Sequence, residues 1–103
     1  MALLRSKGFT ILHTNFSCPQ GELDIIARVD QELVFVEVRS RADAAHGDAL
    51  DAITPRKQQQ VARVAQAYIN IERPEFETSR FDVIAQTGDT LIHLMDAFRP
   101  HGP

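Results

Sequence analysis

Four charged residues gather at one end of two segments that otherwise read as largely buried strands: Glu22 and Asp24 in ELDIIARV, and Glu37 and Arg39 in ELVFVEVRS. Strand residues i and i+2 share a face about 6.6 Å apart, so each charged pair lies on one side of its strand. Only Asp30 and Gln31 separate the two segments, which therefore read as an antiparallel hairpin. A two-residue loop, or its symmetric opening to four, puts Val29 opposite Glu32, Ile25 opposite Val36 and Leu23 opposite Val38. On the other side Arg28 meets Leu33, Ile26 meets Phe35, Asp24 meets Glu37 and Glu22 meets Arg39.

Directly opposed residues have β-carbons ~4.5–5.5 Å apart, and like charges so placed destabilise a sheet. Apolar Ile26 and Phe35 lie beside Asp24 and Glu37, and partial burial raises at least one carboxyl pKa. A divalent cation relieves the repulsion, and Mg2+ and Mn2+ prefer carboxylate oxygens and water. A plainer reading competes. This end of the sheet reaches solvent, Asp24 is hydrated, and Glu22–Arg39 is a surface ion pair. A one-residue register slip would also separate Asp24 from Glu37.

The elements that must position these residues follow from local pattern. MALLRSKGF reads as the last turns of a helix closed by Gly8. Residues 9–16 read as a first strand, SCPQG as a turn, and residues 22–29 and 32–40 as the next two strands. RADAAHGDALDAI reads as a loop with a short helical turn. Thr54 and Pro55 mark a helix start, and Val61, Ala65 and Tyr68 recur at helical spacing, with Val64 and Ile71 beside them. FDVIAQ and TLIHLMDAF form a hairpin around Thr87-Gly88-Asp89, and residues 99–103 read as a loose tail. The order is (α)βββαββ, an α/β single domain over residues 1–103 with a mixed five-stranded sheet and flanking helices.

The 103 residues suffice for one modest core. At 44% apolar and 24% charged, the composition is that of an ordinary globular protein. No run approaches the ~20 apolar residues of a membrane span. Cys18 is the single cysteine, which excludes an internal disulfide framework and suits a reducing cytoplasm. A net charge of −3 argues against tight, indiscriminate nucleic-acid binding. Locally the balance reverses: Arg39, Arg41, Arg56, Lys57, Arg63 and Arg73 outnumber Asp43, Asp48, Asp51 and Glu72.

GELDII, VFVEVRSR, HGDALDAITPRKQQQ and RFDVIA, in this order and spacing, resemble the YraN family of uncharacterised bacterial proteins. That family is regarded as endonuclease-like and similar to archaeal Holliday-junction resolvases of the PD-(D/E)xK nuclease superfamily. The resemblance covers about residues 8 to 86. It implies a restriction-endonuclease-like core and metal-assisted hydrolysis of DNA phosphodiester bonds, in branched or damaged DNA, with Mg2+ or Mn2+. Carried over by position, Asp24 and Glu37 hold the metal, the Val38 carbonyl joins them, and Glu22 assists. Arg39 takes the place of the family's lysine. A symmetric homodimer is implied by the way resolvases act on two strands.

Three features depart from that pattern. Arg39 is a guanidinium and cannot serve as a general base. MALLRSKGF lacks the acid that resolvase-like proteins carry on a first helix, and the net charge is acidic. Lys57, in the first turn of the long helix, offers an amine in compensation. Arg41, Arg56, Lys57, Gln58 and Arg63 are candidate DNA contacts, with an ordinary solvated surface as the competing reading. His13 and His93 read as structural, Asp82 as an ion-pair partner, and Tyr68 as core. Opposed to the nuclease reading stands a non-catalytic nucleic-acid-binding or protein-interaction domain on a nuclease scaffold.

Overall fold

The computed structural model describes residues 1–40 and 53–100. Its elements are α1 (Ala2–Ser6), β1 (Thr10–Cys18), β2 (Gly21–Val29), β3 (Glu32–Ser40), α2 (Pro55–Glu72), β4 (Thr78–Thr87) and β5 (Thr90–Phe98). The expected loop at residues 41–52, and Arg41 with it, lies outside the described residues. The five strands form one sheet in the order β1-β2-β3-β4-β5. All neighbours are antiparallel except β3 and β4, which α2 connects in parallel. This is the mixed α/β sheet expected from the order of elements.

Tight turns set the registers. Pro19 and Gln20 alone make the first turn, so β1 runs beyond the expected Phe16 to pair Cys18 with Gly21. Gly21 has φ +140, a backbone geometry that a side chain strains. Asp30 takes φ +53, the left-handed conformation that a two-residue hairpin loop requires and that Asp tolerates. Val29 consequently pairs with Glu32, and the ladder continues to Ile25 opposite Val36, as the sequence register requires.

Beyond that pair the sheet forks. The β1–β2 ladder runs on to Cys18–Gly21, and the β3–β4 ladder runs on to Ser40–Gln86. The β2–β3 ladder, by contrast, stops at Ile25–Val36. The expected pairs Asp24–Glu37, Leu23–Val38 and Glu22–Arg39 are therefore not rungs of the sheet.

Helix α2 begins as its sequence demands. The Thr54 side chain accepts the Lys57 backbone N–H at 3.1 Å, and Pro55 occupies the first turn, where its missing N–H costs nothing. Arg73, at φ +47, closes the other end through its N–H to Ile69. Val61, Val64, Ala65 and Tyr68 pack with Leu23, Ile26, Leu33, Phe35 and Val83 in the larger core cluster. Ile71 does not join them and is 61% exposed. It lies only ~20° around the helix from fully buried Val64, but two turns further on, in the final turn. The second core cluster gathers Leu4 and Phe9 with Ile25, Ala27, Val34, Val36 and Ile84. No helix among the described residues is long and apolar enough to cross a membrane.

Candidate functional site at a fork in the sheet

The fork is where Asp24 and Glu37 meet. Asp24 Oδ2 accepts the backbone N–H of Val38 at 2.8 Å, filling the place of the missing ladder bond. The Asp24 backbone in turn favours the charged form of the Glu37 carboxyl. The Asp24 side chain thus bridges strands that no longer pair directly. That explains why an acid is tolerated here: it satisfies a backbone donor that the fork would leave orphaned.

Glu37 is buried, at 4% exposure. Its Oε2 lies 3.4 Å from the Arg39 guanidinium and 4.0 Å from Lys57 Nζ. Burial pushes its carboxyl above the ordinary range, and the nearby Asp24 charge pushes the same way. Lys57, Arg39 and the Asp24 hydrogen bond pull it back only in part. Arg39 Nε is buried and has no hydrogen-bond partner among the described residues.

Lys57 reaches the fork because α2 is anchored over it. Lys57 Nζ also donates to Gln60 Oε1 at 3.3 Å, and Gln60 Nε2 lies 3.5 Å from the Gln20 carbonyl. A β-carbon on Gly21 would stand 2.7 Å from Gln60 Nε2. Glycine there lets the helix side chain lie directly on the β1–β2 turn. In sequence Gly21 stood out only as a turn residue, and Gln60 not at all. The only local signal was the triple glutamine after Lys57, which does not say which amide turns inward.

The other expected site residues divide. Arg56, Lys57 and Arg63 line one hollow of about 450 Å3 with Gln20, Thr54 and Gln60. The Gln58 amide instead donates to the Ile53 carbonyl at 3.2 Å, within its own helix start. Glu22 is exposed and pairs in the ladder with Ser17, and no hydrogen bond or ion pair joins it to Asp24 or Glu37 among the described residues. Val38 contributes its N–H to Asp24.

The donor set fits a hard divalent cation. Mg2+ commonly binds through one or two carboxylates and fills its shell with water and substrate phosphate. Asp24 and Glu37 supply two, and their mutual repulsion at the buried Glu37 is what a cation would relieve. No group of three or more His, Cys, Asp or Glu side chains suited to a metal occurs among the described residues.

A second charged cluster lies elsewhere in the sheet. Asp82 is fully buried and accepts from Arg80 Nε at 2.9 Å, from the Asp96 backbone N–H at 2.9 Å, and from His93 Nε2 at 2.7 Å. Arg80 continues to Glu32 at 2.7 Å. Lys7 Nζ lies 2.9 Å from His93 Nδ1. An ammonium only donates, so Nδ1 accepts and Nε2–H donates to Asp82. Asp82 is the ion-pair partner expected from sequence, and His93 the structural histidine.

Comparison with known proteins shows the family. The model of a family described as "Uncharacterised protein family UPF0102" matches residues 1–85. A UPF0102 protein of Geotalea daltonii is 39% identical over 103 residues, covering 95% of this chain and 81% of that protein. One from Sulfurihydrogenibium sp. is 37% identical, over 92% of this chain and 83% of its own length. One from Hahella chejuensis is 44% identical, over 78% of this chain and 64% of its own length.

Proposed function

The chain belongs to the uncharacterised protein family UPF0102, and we propose that it is a metal-dependent, endonuclease-like protein that hydrolyses DNA phosphodiester bonds, branched or damaged DNA being the substrate class. One observation carries the reading: a buried carboxylate, Glu37, next to Asp24 at a break in the sheet and faced by Arg39 and Lys57. Two acids with two adjoining bases suit a reaction that needs a cation and a place for negative charge on phosphate.

In this reading Asp24 and Glu37 hold Mg2+ or Mn2+, which when bound supplies Lewis acidity and a more acidic bound water. Arg39 donates hydrogen bonds to charge developing on the phosphoryl oxygens, because a guanidinium donates and never accepts. Lys57 brings a second positive charge from α2 and stands in for the family's lysine. Arg56 and Arg63 hold the DNA backbone along the hollow beside Lys57. Glu22 and the Val38 carbonyl complete the shell when substrate binds. The reading carries with it a cytoplasmic location, where bacterial DNA lies, and a homodimer, since a duplex has two strands.

A second reading has an observation of its own. Arg39 and Lys57 already lie beside the Glu37 carboxylate and offset part of its charge, so it has partners without a cation. On that view the chain is a non-catalytic nucleic-acid-binding or protein-interaction domain. Calorimetric titration of the protein with Mn2+, beside Asp24→Asn, separates the two. Saturable binding that disappears in the variant supports the nuclease reading. A folded parent that binds no Mn2+, with DNA binding lost on Lys57→Ala or Arg63→Ala, supports the scaffold reading.

A further inference from the structure

Strand β5 is an outer strand of the sheet, and nothing among the described residues pairs with its free edge. Natural proteins usually blunt such edges with charge, proline or a covering segment. β5 shows the opposite character. Leu91, Ile92 and Met95 are 42%, 47% and 59% exposed. No Lys, Arg, Asp or Glu occurs from Thr90 to Met95, and the His93 side chain is buried against Asp82. The regular run ends at Asp96, whose φ of +53 accompanies a bulge that turns the chain away.

The pattern of this edge is self-complementary. A two-fold axis perpendicular to a sheet pairs a strand with its own copy about one central residue. Centred on His93, Leu91 lies opposite Met95 of the second copy and Ile92 opposite Leu94, each apolar against apolar. Moving the centre to Ile92 sets Leu91 against His93 and Met95 against Asp89. Moving it to Leu94 sets Met95 against His93 and Ile92 against Asp96. Only the centre at His93 matches all four apolar residues, and it also uses the whole straight run up to the bulge.

We propose that β5 is a homodimer interface: a second copy of this chain adds its β5 antiparallel across a two-fold axis at His93, joining two sheets into one of ten strands. This shares with the nuclease reading the expectation of a homodimer and otherwise stands on β5 alone. The uncharged edge lets two acidic chains approach without repulsion at the contact. A seam one strand wide lies at the small end of interface sizes, so the dimer is expected to form and dissociate with concentration.

Site-directed cross-linking tests both the dimer and its register. Leu91→Cys and Met95→Cys, each in a Cys18→Ser background, are mixed and oxidised. Opposed strand residues have α-carbons ~4.5–5.5 Å apart, within the reach of a disulfide, whereas equivalent cysteines of the two copies would lie ~13 Å or more apart. The mixed pair should therefore cross-link at least ~10-fold faster than either variant alone. Sedimentation equilibrium of the parent should show a monomer–dimer equilibrium that Ile92→Lys shifts to monomer without lowering Tm. A parent that is monomeric up to ~1 mM overturns the proposal. So does self-cross-linking of Leu91→Cys as fast as the mixed pair. A monomeric parent would also remove the homodimer expected under the nuclease reading, whereas a dimer cross-linked in another register would overturn the β5 proposal alone.

Discussion

Asp24 Oδ2 accepts the Val38 N–H at 2.8 Å where β2 and β3 part, so one carboxylate both closes the fork and supplies a candidate ligand. The two duties separate by chemistry. Asparagine keeps an oxygen acceptor and loses the charge; alanine loses both. Asp24→Asn should stay folded within a few degrees of the parent Tm and bind no Mn2+. Asp24→Ala should lose about 1–3 kcal/mol by leaving the Val38 N–H unsatisfied. Urea melts of the two variants check the contrast, and equal losses would show that charge rather than the acceptor closes the fork.

Glu37 gives the pH dependence. Its folded-state pKa is raised, chiefly by burial and then by Asp24, so the native state binds more protons than the unfolded chain above the ordinary carboxylate range. Stability therefore falls as pH rises from the ordinary value of 4.5 through the raised one, and the loss persists at neutral pH. Glu37→Gln should raise Tm at pH 7, where ~1 kcal/mol corresponds to roughly 4–8 °C for a domain of this size. The gain should vanish below the ordinary carboxylate range. Thermal melts across pH decide it, and a Tm unchanged at pH 7 would count against a penalised carboxylate.

Gly21 and Gln60 set the seat of α2 on the first turn. Gly21→Ala meets both the φ of +140 and a contact of 2.7 Å with Gln60 Nε2. It should cost about 1–3 kcal/mol. Adding Gln60→Ala should recover the part due to contact and none of the part due to φ. A double-mutant cycle measures the coupling, and strict additivity would mean that Gln60 does not rest on Gly21 in solution.

Asp82 and Asp96 make an internal control for buried against exposed charge. Asp82→Ala leaves Arg80 with Glu32 alone and removes the acceptor for His93 and the Asp96 N–H, so a loss of about 3–5 kcal/mol is expected. Arg99→Ala breaks only the exposed Arg99–Asp96 pair and should leave Tm unchanged. Calorimetric melts of both variants test the contrast.

Much of the fold was legible because its signals are local. Alternating apolar residues, a two-residue gap at Asp30-Gln31 and the Thr54-Pro55 start specify elements and the β2–β3 register without reference to distant chain. Ile71 misled because an apolar residue in a last helical turn looks the same whether or not the sheet lies beneath it. Within the site, Asp24 and Glu37 were singled out by strand parity and Arg39 by the resemblance, although Leu23 packs with Ile26 and Phe35 rather than with Ile25 and Val36 as that parity required. The contact of Gly21 with Gln60, 39 residues apart, was invisible because it depends on where α2 lands.

Sequence by itself determined the order of elements, the hairpin register up to Ile25–Val36 and the nearness of two acids, since each follows from spacing along one chain or across one short turn. Tertiary structure decided what those acids do. Whether Asp24 and Glu37 sit as rungs or at a fork is set where β2 continues its ladder with β1, and β3 with β4, past the last β2–β3 pair, and the approach of Lys57 depends on the seat of α2. Such contacts join segments whose separation in sequence carries no record of their separation in space.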